Sequence, residues 1–76
     1  MFVNWTYFVA AAEELNFTKA AERCFISQQS LSSAIAKLEE SLDVELFQRK
    51  KKLELTPAGE CLYRHAKAIV TEEELL

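Results

Sequence analysis

Of its 76 residues, the chain spends one on glycine, one on proline, one on histidine and two on cysteine. An all-β protein with many tight turns needs more glycine and proline, so a sandwich or barrel is not expected. Two cysteines and His65 cannot complete a four-ligand metal site. No apolar run approaches the roughly 20 residues that span a bilayer; Tyr7 to Ala12 is about the longest, and no membrane partner is expected. The start, Met1-Phe2-Val3-Asn4-Trp5, lacks a basic n-region, so no signal peptide is expected. A cytoplasmic location is expected, with Cys24 and Cys61 reduced. There is no Gly-rich phosphate loop, no Cys/His set at metal spacing and no triad, so neither an enzyme nor a cofactor is expected.

Half of the residues are hydrophobic and 28% are charged, a globular balance. A core this small is marginal, burying about 60% of the unfolded surface, which points to a partner chain as a source of stability. The net charge of −3 conceals an uneven placement. Lys19, Arg23 and Lys37 against Glu22 leave residues 18–37 positive. The stretch 38–48 carries four acids, Arg49-Lys50-Lys51-Lys52 carries four cations, and Glu72 to Glu74 close the chain with three more acids.

Trp5, Phe8, Val9, Ala12 and Leu15 form one helical stripe, predicting a first helix from Asn4, its N-cap, to Leu15. Thr18 is read as the cap of a short second helix ending near Cys24, where Ala20 and Ala21 permit close approach. Phe25-Ile26 reads as a tight apolar connection. Ser27 caps a third helix whose apolar stripe is Leu31, Ala34, Ile35, Leu38 and Leu42. Leu53 and Leu55 alternate around Glu54, so Phe47-Gln48-Arg49 and Leu53-Glu54-Leu55 predict a short hairpin with a basic tip. Thr56-Pro57 starts a last helix, with Gly59 weakening its first turn. On it Leu62, Ala66, Ile69 and Val70 share an apolar side with His65 at the margin. That side has little of the chain left to cover it and predicts a homodimer interface. Cys24 reads as a small core residue, and Glu39-Glu40 as a solvated pair near a helix end.

Two short helices joined by three or four residues read as a helix-turn-helix, whose second helix enters the major groove. Gln28 and Gln29 suit base edges there, since an amide both donates and accepts; Ser32 and Ser33 serve a base or a phosphate. A basic hairpin tip behind such a motif is a wing, with cations for phosphates or a narrow minor groove. The rival reading is a helical protein-interaction module without DNA binding. It draws on the acidic total charge and the apolar last helix, but the Gln28–Ser33 face lacks the aromatic or arginine of an interface hot spot.

The segments Phe8-Val9-Ala10, Asn16-Phe17-Thr18-Lys19-Ala20-Ala21, Ser27-Gln28, Leu31-Ser32, Leu38-Glu39, Leu46-Phe47-Gln48-Arg49 and Leu55-Thr56-Pro57-Ala58-Gly59 together resemble the N-terminal domain of LysR-type transcriptional regulators. The resemblance implies a mainly α winged helix-turn-helix, three helices plus a hairpin wing, over residues 1–57. A linker and dimerisation helix follows over residues 58–76. It also implies an effector-binding domain that these residues cannot form, so the chain looks like an excised DNA-binding fragment or a truncated relative. Matched by position, Gln28, Gln29, Ser32 and Ser33 fall on the family's base-reading stretch, with the recognition helix at about 28–40. Thr18, Lys19, Lys37 and Arg49 are expected at phosphates, and Lys50, Lys51 and Lys52 at the wing tip. Gln29 stands where the family often has Pro, and Ser33 where many members have Arg. Asp43 stands where Gly is common, so that turn is expected to be strained or rebuilt. The wing is one residue shorter than the usual form. The expected partner is double-stranded DNA carrying an inverted repeat, bound by a homodimer joined through the last helix. A small-molecule effector enters only through the domain absent here.

Overall fold

A computed structural model of the protein describes residues 4–75. Met1 to Val3, read above for an export signal, and Leu76, the end of the expected last segment, lie outside the described residues. Four helices and one hairpin follow in the order α1 (Trp5–Glu14), α2 (Phe17–Cys24), α3 (Gln28–Leu42), β1 (Phe47–Gln48), β2 (Glu54–Leu55) and α4 (Pro57–Leu75).

Local side-chain chemistry sets the helix starts. Asn4 accepts from the Thr6 amide at 3.0 Å, Ser27 from the Ser30 amide at 3.0 Å, and Thr56 Oγ1 from the Gly59 amide at 3.0 Å. Each satisfies a donor that the helix itself leaves open. Helix α2 begins differently from the expectation. Its cap is Asn16, whose Oδ1 accepts from the Lys19 amide at 2.9 Å, and Thr18 lies inside the first turn. Asparagine is as good a cap as threonine, and here its backbone is extended while Thr18 is already helical. The first three helices end on residues in the left-handed conformation, Leu15, Phe25 and Asp43. Leu15 is therefore the cap of α1 and not its last turn.

Helix α1 is the hub. Its run from Phe8 to Ala12 is buried on every side, the mark of a helix enclosed by others. It packs against α2, α3 and α4. Leu31, Ile35 and Leu38 of α3 turn inward, as do Ala20 and Ala21 of α2. The ring of Phe47 meets Phe8 at 5.8 Å and Phe17 at 5.4 Å, both edge to face. This aromatic chain joins the hairpin base to α1 and α2.

Strands β1 and β2 pair antiparallel, Phe47 opposite Leu55 and Gln48 opposite Glu54. Thr56 closes the hairpin base: its hydroxyl donates to the Glu45 carbonyl at 2.6 Å and its amide to the Leu46 carbonyl at 3.0 Å. Gly59 has a structural use that its helix propensity hides. A Cβ there would overlap the Leu46 carbonyl, so only glycine lets α4 pass this close to the segment before β1.

Candidate nucleic-acid interface

Helix α3 is two-sided. Opposite its buried stripe, Gln28, Gln29, Ser33 and Lys37 are exposed and Ser32 is half-buried. Ser27, Gln29, Ser33 and Lys37 border one shallow hollow on that side. Neither α2 nor α3 has an acidic residue in its first turn, so the partial positive charge of their open amides is not offset by an acid there. The two starts touch: Thr18 Oγ1 lies 3.3 Å from Gln28 Oε1.

The wing follows. Lys50, Lys51 and Lys52 are exposed, and Lys52 pairs with Glu54 at 3.7 Å. Arg49 is placed separately from them. Its guanidinium stacks 4.7 Å from the centre of the Phe17 ring, a cation–π contact that holds it beside the first residue of α2. A path of contacts therefore runs from Gln28 through Thr18 and Phe17 to Arg49, joining α3, α2 and the base of the hairpin.

Glu39 corrects the sequence reading of a solvated pair. Its carboxylate accepts from the amides of Leu46 at 2.7 Å and Phe47 at 3.2 Å, tying α3 to the start of the wing. The Leu38-Glu39 pair of the family pattern was the only sign of it in the sequence. Glu40 beside it is exposed.

Arg23 also departs from its reading as part of a positive segment. It binds Glu13 at 2.7 Å and Glu14 at 3.2 Å. Glu13 also accepts from the Tyr63 hydroxyl and pairs with Lys67 at 3.1 Å, so one carboxylate joins α1, α2 and α4. Burial pushes its pKa up, but hydrogen bonds from Tyr63, Arg23 and Lys67 outweigh that and hold it at about 2. The Tyr63 hydroxyl, donating to Glu13, is pushed above its usual value, and burial raises the Cys24 thiol. Lys19 and Lys37 make no ion pair among the described residues and are the cations left to the α2–α3 side.

The expected dimer face needs redrawing. Ala66 and Val70 are buried in the chain's own core and Leu62 is partly buried against it. The sequence stripe on α4 is largely the side that packs on α1, because four residues with helical spacing look alike whichever body covers them. Ile69 is exposed, and with Ala58, Cys61 and His65 it lies along an exposed strip next to Leu62.

No helix among the described residues is long and apolar enough to cross a membrane. The family profile of bacterial regulatory helix-turn-helix proteins of the lysR family matches residues 2–60. The Hca operon transcriptional activator HcaR of Escherichia coli is 52% identical over 69 residues, 90% of this chain and 23% of HcaR. The chain thus spans about a quarter of that relative. The BenM DNA-binding domain, solved as a complex with catB site 1 DNA, superposes with a TM-score of 0.87 at 38% identity, covering 93% of this chain and 77% of that one. DarR of Vibrio fischeri, also solved with DNA, gives a TM-score of 0.84 at 33% identity, covering 99% of this chain and 27% of that one. With the family profile matching residues 2–60 and these identities over nine-tenths of its length, the chain belongs to the LysR family of bacterial helix-turn-helix regulatory proteins.

Proposed function

We propose that the chain binds double-stranded DNA sequence-specifically, as the DNA-binding part of a cytoplasmic transcriptional regulator, and performs no catalysis. The carrying observation is the contact path from Gln28 through Thr18 and Phe17 to Arg49, which joins a helix face suited to base edges with cations suited to phosphates. Residues 1–57 make the DNA-contacting unit and residues 58–76 the linker and dimerisation helix. Gln28, Gln29, Ser32 and Ser33 enter the major groove. Lys19, Lys37 and Arg49 meet phosphates, while Lys50, Lys51 and Lys52 lie near the adjacent minor groove. Two copies joined through α4 demand an inverted repeat, with half-sites about one helical turn or a multiple apart. A small-molecule effector acts only through a domain outside these residues.

Selection from a randomised duplex pool tests this, with binding followed by fluorescence anisotropy at two salt concentrations. The expected result is an enriched inverted repeat and an affinity that falls by about 0.9 log unit per log salt for each phosphate neutralised. On that site Gln29→Ala costs about 1–3 kcal/mol and relaxes one base position, whereas Lys51→Ala weakens preferred and random DNA alike. A chain that dimerises but ignores DNA at low salt is the protein-interaction module instead.

A further inference from the structure

We infer that the Thr18 hydroxyl fixes the Gln28 amide with its donor end toward DNA, so that this position refuses cytosine. The inference rests on the DNA-binding reading and deepens it by naming which bases the site rejects.

Gln28 Oε1 lies 3.3 Å from Thr18 Oγ1. A carbonyl oxygen only accepts, so the hydroxyl donates its single proton to the amide. That proton is then not free for a phosphate oxygen. Thr18 becomes a positioning residue for Gln28, in place of the phosphate contact expected from the resemblance. The electrostatics favour the same orientation. Thr18 sits in the first turn of α2, where open amides carry partial positive charge and no acid offsets them. The negative end of the amide dipole faces that charge and the NH2 group faces away. Turning the amide over would exchange this bond for one donated by Nε2–H to the Thr18 oxygen, and would set NH2 against the positive helix start.

The free NH2 group complements an acceptor. In the major groove guanine offers O6 and N7, adenine offers N7 and thymine offers O4, whereas cytosine offers only its N4 amino donor. Cytosine on the strand facing Gln28 therefore sets donor against donor, and both lose water without gaining a partner. An untethered glutamine would escape this by turning its amide over. The start of α2, through the Thr18 hydroxyl and the open amides beside it, opposes that turn, which makes a residue outside α3 a determinant of specificity.

The test is selection of bound duplexes by the full chain as wild type, T18V, T18S and Q28A, with the frequency of each base read at every position. The wild type is expected to deplete cytosine at one position by about fivefold or more, the lower end of one good base contact. T18V keeps the shape but loses the proton, and should bring cytosine to within about twofold of the other bases. T18S should retain the depletion. Q28A should abolish it, and adding T18V to Q28A should change nothing further. A T18V profile identical to wild type overturns the inference. So does a T18V loss equal on every sequence, which would make Thr18 a backbone contact. If T18V unfolds in a thermal melt, Q28A still decides, because cytosine depletion surviving without the amide overturns the inference. Failure of the wild type to select any sequence overturns the DNA-binding reading itself, so the two failures are distinguishable.

Discussion

Leu15, Phe25 and Asp43 hold the left-handed conformation at the ends of α1, α2 and α3, a task that glycine usually performs. The only glycine serves elsewhere, at the close pass of α4 by Leu46. Phe25 pays for this most visibly, with φ at 58° and its surface 94% exposed. A left-handed L-residue costs about 1–2 kcal/mol. Glycine would remove that cost and return about 0.5–1 kcal/mol through its freer unfolded state. Phe25→Gly is therefore expected to raise stability by up to about 1 kcal/mol, a few degrees in a thermal melt. A lower melting temperature would show that the ring is covered in solution. The sequence marked Asp43 as a strained or rebuilt turn. The structure keeps the turn, with the Asp43 amide donating to Glu40 and the next amide to Glu39. Gly59 was legible only as a poor helix former, because the carbonyl it accommodates lies in another segment.

Where a helix begins was readable because capping joins residues two or three apart. Asn4, Ser27 and Thr56 act within that window, and only at α2 does the cap, Asn16, lie two residues before the expected Thr18. How elements are fixed to one another was not readable. Glu39 reaches amides seven and eight residues on, and Glu13 meets Tyr63 fifty residues on. Periodicity carries no information about such pairs. Glu39→Ala should leave two amides without their acceptor and cost about 1–3 kcal/mol. Hydrogen exchange at Leu46 and Phe47 should accelerate before that of the α1 core; unchanged exchange there would show that the wing is held by other contacts. The Glu13 cluster makes a separate prediction. Its carboxylate is lowered from 4.5 to about 2 on folding, so its stabilising effect is complete above about pH 4.5 and fades as pH falls toward 2. In melts across that range, Glu13→Gln should flatten the acid side of the stability curve. A variant curve parallel to wild type would remove Glu13 from the acid response.

Across the whole molecule, segment charges located the basic hairpin tip and the cap and apolar stripe located α3, but neither distinguished a core stripe from a dimer stripe on α4. The body is elongated, 38 × 24 × 22 Å, and α1 already covers Ala66 and Val70. Under the proposed homodimer, the part of the expected α4 stripe still open to a second copy is Ile69, which is 38% exposed. Ile69→Glu should shift dimers to monomers in sedimentation while leaving the melting behaviour of the monomer nearly intact, as expected for a surface change. Persistent dimers would place the interface elsewhere. The same helix has one more property. Its last buried residue is Val70, and Thr71 to Leu75 stand clear of the body. A helix anchored at one end and free beyond it converts chain length into rotation, about 100° and 1.5 Å for each residue. One residue inserted after Val70 would swing everything beyond it by more than a right angle, while seven would restore the facing to within about 20°. Beyond Val70, α4 acts as a rotary index, so natural or engineered changes of length in that stretch should be tolerated in steps of seven and resisted in steps of one or two.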